Sequence, residues 1–134
     1  MEKYKKLLEI AKNSLKYSYS PYSNFSVGAA LLLKNGDIIT GVNVENASYG
    51  LGICAERVAV VKAISEGNKE FEAIAIVSGK IKNCFPCGSC LQFMSEFSQD
   101  LDIILEGENN EPIVKKIKEF LPYMFSGKML NFEP

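Results

Sequence analysis

Histidine is absent from the 134-residue chain. That absence excludes Ser-His-Asp and Cys-His nucleophilic catalysis, and with them every zinc site that uses imidazole. A transition-metal site must here be built from thiolates, with carboxylates as the other available donors. Basic charge is not in excess either: the formal net charge is −1 and the sequence pI about 5.6. No basic surface is available to track a phosphate backbone, which argues against a nucleic-acid polymer as substrate or partner. No apolar run reaches the length that spans a bilayer, and Met1-Glu2-Lys3-Tyr4-Lys5-Lys6 has no signal-peptide core behind its lysines. The expectation is a cytoplasmic protein without a membrane partner, whose four cysteines stay reduced and serve chemistry or metal. Repeats, linkers and low-complexity tracts are missing too. What is there is 47% apolar residues, enough for one core, so a single domain over 1–134 is expected.

Hydrophobic spacing then orders the elements. Leu7, Leu8, Ala11 and Leu15 recur with helical period, predicting an amphipathic helix over 2–18. Ser20-Pro21-Tyr22-Ser23-Asn24 breaks it. The apolar run Val27 to Leu33, the turn pair Asn35-Gly36 and the segment Asp37 to Val44 read as a β-hairpin. Cys54 to Glu66 returns to helical composition with Gly67 as its stop, and Phe71 to Val77 reads as a buried strand. Pro86-Cys87-Gly88-Ser89-Cys90 opens a further helix, and Asp102 to Leu105 is a short strand. Because Glu106 to Glu111 is too short for a crossover, the last two strands pair antiparallel. The order α-β-β-α-β-α-β-β predicts a three-layer α/β/α sandwich around a five-stranded mixed sheet. Lys115-Lys116-Ile117-Lys118 reads as a solvated face.

Chemistry concentrates in two short segments, Cys54-Ala55-Glu56 and Pro86-Cys87-Gly88-Ser89-Cys90. Cysteines at i and i+3 in a helix's first turn point their sulfurs to one side. If the helix begun by Cys54 meets the one begun by Cys87, three sulfurs converge where two positive dipole ends favour thiolates. Three protein ligands leave zinc's fourth tetrahedral position for water, as catalytic sites do. Glu56, two residues after Cys54, can reach that water without ligating the metal. Three thiolates leave the metal centre at net −1, and Arg57 is the nearest compensating cation, able to hydrogen-bond ligand sulfurs. The same residues admit plainer readings. Cys84 could complete a four-cysteine structural zinc site, Cys84-x-x-Cys87-x-x-Cys90 resembles part of an iron–sulfur stretch, and Glu56 and Arg57 could be an exposed helix pair. Spacing leaves these alternatives open.

The order ligand-x-Glu, then Pro-Cys-x-x-Cys, matches the zinc-deaminase signature, with cysteine in place of its usual histidine. Over most of its length the chain resembles the small, three-cysteine cytidine deaminases. The resemblance is carried by Ser20 to Leu31 (Ser-Pro-Tyr-Ser-Asn-Phe-x-Val-Gly-Ala-Ala-Leu), Gly41 to Gly50 (Gly-Val-Asn-Val-Glu-Asn-Ala-Ser-Tyr-Gly), Cys54 to Arg57, Pro86 to Gln92 and Leu121-Pro122-x-x-Phe125. It implies one zinc ion per chain on Cys54, Cys87 and Cys90, with Glu56 as the proton carrier. It further implies hydrolysis of cytidine and deoxycytidine to the uracil nucleosides and ammonia, in pyrimidine salvage. Phe25 would pack against the pyrimidine, Asn43 and Glu45 would bond the ribose 3′-hydroxyl, and backbone near Ala55 would read the base edge. Tyr49 and Phe125 would complete sites across subunits of a homotetramer. The rivals are a blasticidin-type deaminase and a non-enzymatic structural-zinc module. Three departures from the family stand out: Leu91 where arginine is usual, Gly52 where threonine is common, and the extra thiol of Cys84.

Overall fold

The computed structural model describes residues 1–132. Its elements are α1 (Glu2–Ser14), β1 (Val27–Leu33), β2 (Ile38–Val42), α2 (Ala55–Ser65), β3 (Phe71–Ser78), α3 (Gly88–Ser95), β4 (Asp102–Glu106), β5 (Pro112–Lys116) and a short α4 (Ile117–Phe120). The sheet runs β2-β1-β3-β4-β5. β3 and β4 are parallel and the other neighbouring pairs antiparallel, including the last two strands. This is the expected α/β/α sandwich around a five-stranded mixed sheet.

Period-2 alternation sorts the core into two layers. Ala30, Leu32, Ala73, Ala75, Val77 and Ile104 pack with Leu7, Leu8 and Ala11 of α1. Ala29, Leu31, Ile74, Ile76, Ile103 and Leu105 pack with Val60 of α2 and Met94 of α3 on the opposite side. Two glycines let helices press close at one end of the sheet. A Cβ on Gly28 would lie 2.5 Å from Ala11 O, and one on Gly41 2.5 Å from Ala55 O and 2.6 Å from Ala59 N. Gly41 thereby seats the first turn of α2 on β2.

Element boundaries moved where side chains bond to backbone. The helix expected over 2–18 ends as α-helix at Ser14 and tightens to a 3₁₀ turn over Leu15–Tyr17. The Ser14 hydroxyl donates back to Ala11 O at 2.6 Å, a bond that competes with regular helix. The strand expected to reach Val44 stops at Val42. There Asn43 pairs through its side chain, with Oδ1 accepting from Val27 N at 3.0 Å and Nδ2 donating to Phe25 O at 2.8 Å. The Asn35-Gly36 turn forms, with Gly36 at φ 98°. The lysine run is solvated only in part: Ile117 is fully buried, and Lys116 reaches Asp102 at 2.8 Å.

Candidate active site

Cys54 and Cys87 are the N-caps of α2 and α3, both in extended backbone (ψ 152° and 164°). In that position a side chain faces the unbonded N–H groups of the first turn. Cys87 Sγ accepts from Cys90 N at 3.4 Å, a cap made with sulfur. The sulfurs of Cys54, Cys87 and Cys90 lie within 4.8 Å of one another, and those of Cys87 and Cys90 are 3.3 Å apart. Sulfurs at ~2.3 Å from a tetrahedral zinc stand roughly 3.8 Å apart, so the donor set fits one zinc ion per chain. Cys84 is not in this group. It packs against the α2–α3 side of the core, and burial with the nearby Glu56 charge pushes its thiol up to about 11. The four-cysteine and iron–sulfur readings therefore lack their extra ligand.

Electrostatics separate Cys54 from Cys90. A hydrogen bond from the Cys90 thiol, with Arg57 assisting, lowers Cys54 to about 5. Cys90 is raised by donating that bond and by burial. Arg57, the chain's single arginine, donates from Nη2 to Cys54 Sγ at 3.8 Å. Its buried Nε finds no partner among the described residues. Leu91, directly after Cys90, turns into the core at 6% exposure and brings no charge to this centre. Glu56 follows on α2 at 4% exposure. Burial raises its carboxyl above the ordinary range, and the neighbouring Cys54 sulfur adds to the rise.

The expected substrate residues are held by local bonds and, in part, share one cleft. Asn43 holds Phe25 by its carbonyl and also accepts from Ser18 Oγ, which leaves one amide N–H uncommitted. Ala55 is fully buried at the first position of α2, where its N–H has no intrahelical partner. Glu45 is engaged by the preceding loop. Its carboxylate accepts from Tyr22 N at 2.9 Å, Ser23 N at 3.1 Å and the Ser23 hydroxyl, and that hydroxyl bond chiefly holds it below the ordinary range. Tyr22, Ser23, Glu45, Asn46, Tyr49 and Gly52 line a cleft of about 350 Å³, with the Tyr22 and Tyr49 rings 6.0 Å apart. Gly52 presents no side chain to that cleft. Phe125 is anchored by its carbonyl to Gln92 Nε2 at 2.8 Å, while its ring and that of Tyr49 stay exposed. Sequence reasoning assigned no role to Ser18, Ser23 or Gln92. Ser23 and Gln92 lie inside the quoted motifs, which was the available signal.

Fold and site together define a metal-dependent hydrolase: three thiolate ligands, one short of zinc's four, with a buried carboxyl beside them. Residues 1–112 match the family model described as the cytidine and deoxycytidylate deaminase zinc-binding region. A probable cytidine deaminase of Dictyostelium discoideum is 46% identical over 127 residues, covering 93% of this chain and 85% of that one. The cytidine deaminase of Halalkalibacterium halodurans is 42% identical over 126 residues, covering 93% and 96%. A crystal structure of cytidine deaminase from Burkholderia pseudomallei superposes with a TM-score of 0.84 at 42% identity, covering 90% and 97%. The chain belongs to the cytidine and deoxycytidylate deaminase family.

Proposed function

We propose that this chain is a zinc-dependent cytidine deaminase, hydrolysing cytidine and deoxycytidine to uridine and deoxyuridine with release of ammonia. The observation that carries the reading is the buried Glu56 beside three converged sulfurs. Zinc held by Cys54, Cys87 and Cys90 supplies the Lewis acidity that makes water a nucleophile at neutral pH.

The residues of the chain do the rest. Glu56 takes a proton from the attacking water and delivers it to the ring nitrogen beside the amine-bearing carbon. The second water proton goes by the same carboxyl to the leaving amine, which departs as ammonia. Glu56 ends the cycle in the state in which it began. Its burial suits it to both steps, because desolvation gives the carboxyl a higher proton affinity than an exposed glutamate has. Arg57 stabilises the thiolate of Cys54 and offsets the excess negative charge of the ligand set. The free N–H of Ala55 reads the base edge, and Phe25, fixed by Asn43, packs on the pyrimidine face. The spare N–H of Asn43 and the ionised Glu45 take the ribose 3′-hydroxyl.

We further propose one deaminase domain over 1–134, its last two residues lying outside the described ones. Exposure of Tyr49 at 80% and Phe125 at 54% beside the site supports a homotetramer in which subunits complete one another's sites. The reaction places the protein in pyrimidine salvage. A cytoplasmic location fits reduced thiol ligands, and among the described residues no helix is long and apolar enough to cross a membrane.

The test is loss of the cytidine absorbance band on adding purified protein, with metal measured on the same sample. Turnover with one zinc per chain supports the reading. Bound zinc without turnover of cytidine or deoxycytidine favours a blasticidin-type substrate, or a structural zinc where that antibiotic is also untouched.

A further inference from the structure

Loop 79–87 leads from β3 to α3 and ends on Cys87. Its first residue is tied to the strand system by Gly79 N donating to Ser26 O at 3.0 Å. Its middle is tied to Glu106, the last residue of β4, by backbone and side chain together. Asn83 N donates to Glu106 O at 2.9 Å, and Lys82 Nζ lies 3.0 Å from Glu106 Oε1. Lys82 also donates to Asn110 Oδ1 at 2.7 Å. Asn83 adopts the left-handed φ of 53°, so the chain turns immediately before Cys84 and enters the cysteine segment from this anchor. The second oxygen of Glu106 is bridged by Lys12 of α1, on the face of the sheet opposite α2 and α3. Glu106 is 5% exposed, although a glutamate at a strand end is ordinarily solvated. A desolvated carboxylate between two ammonium groups resists displacement, because release of either leaves a buried charge short of a partner.

We propose that Glu106 is a positioning residue for the metal loop, holding Lys82 and Asn83 so that Cys87 is presented in ligating geometry before zinc arrives. The inference rests on the zinc reading above. Preorganised ligands hold a metal longer than ligands that must be ordered on binding, so the property at stake is zinc retention. Of the two lysines, Lys82 transmits the effect because it belongs to the loop. Lys12 joins the same carboxylate to α1 from outside the loop, and its loss leaves the Lys82 anchor of the loop in place.

Transfer of zinc from the loaded, full-length protein to a chromogenic chelator tests this. Lys82→Met and Glu106→Gln release zinc about 10-fold faster than wild type, the lower end of the range for groups that orient ligands. Lys12→Met lowers Tm but releases zinc at the wild-type rate. Lys82 is a surface residue, so its variant folds even where Glu106→Gln does not. Wild-type release from Lys82→Met overturns the proposal. So does equal acceleration by Lys12→Met, which would reduce the effect to general destabilisation. A wild-type protein that retains no zinc removes the zinc reading itself and this inference with it.

Discussion

Two glutamates are buried to nearly the same depth on opposite sides of one sheet, Glu56 at 4% exposure and Glu106 at 5%. Desolvation pushes both carboxyls upward. At Glu56 the push prevails: among the described residues no salt bridge reaches it, and burial with the Cys54 sulfur outweighs the opposing backbone N–H, Cys90 thiol and Arg57 charge. At Glu106 the hydrogen bonds and charges of Lys12 and Lys82 outweigh burial and hold the group below the ordinary range. Burial sets the direction at Glu56, and the charges facing the carboxylate reverse it at Glu106. One region keeps a carboxyl ready to move protons, and the other keeps a carboxylate fixed.

The sharpest break of this contrast is Glu56→Ala. It keeps its zinc while kcat falls by about 10³-fold, within the range of a positioned general acid–base group. Cytidine absorbance and metal analysis on one sample check it, and a rate within a factor of ten of wild type (~1.4 kcal/mol) would remove Glu56 from the chemistry. Arg57→Ala comes next. It retains zinc about 10- to 100-fold less tightly, as expected for a lost partner of ligand sulfur, and competition with a chelator measures the change.

Smaller effects set the two glutamates directly against each other in zinc-free protein. A raised folded carboxyl disfavours the folded state once pH passes the ordinary carboxylate value of about 4.3, so Glu56→Gln raises neutral-pH stability. A lowered folded carboxyl contributes stability that is present above that value and lost as pH falls through the folded one. Glu106→Gln therefore destabilises at neutral pH, and its deficit closes in acid. Denaturant unfolding across pH reads both signs, and shifts of the same sign would dissolve the comparison. The smallest expectation is Cys84→Ser. Its thiol stays protonated at neutral pH and lies outside the sulfur group, so zinc content and rate match wild type.

How much of this could be read beforehand depended on the range of the interactions. The Cys87–Cys90 pair was legible because an N-cap and a residue three positions into the helix are related by local geometry alone, whereas Cys54 joined them only through the family resemblance. Element order was legible from the apolar runs of β1, β3 and β4 and from Asn35-Gly36. Boundaries shifted where Ser14 and Asn43 spent their side chains on nearby backbone, a choice that periodicity does not register. Glu45 was visible as part of a motif, but its grip on Tyr22 and Ser23 depends on a loop brought back from the other side of β1. Glu106 carried no signal, since a strand-end glutamate beside a turn has the composition of an exposed residue.

The sequence by itself determined the type of donor, by lacking histidine, and the two ligand segments with the carboxylate between Ala55 and Arg57. It determined the pattern of strands and helices through hydrophobic period. Only the tertiary structure decided that the N-termini of α2 and α3 meet, because that requires Gly41 to admit α2 against β2 and β3 to lead the chain to loop 79–87. It alone also decided which buried glutamate is raised and which is lowered. Charge state follows from neighbours that are distant in the chain, and only folding brings Lys12 and Lys82 to one carboxylate while the other is left beside sulfur.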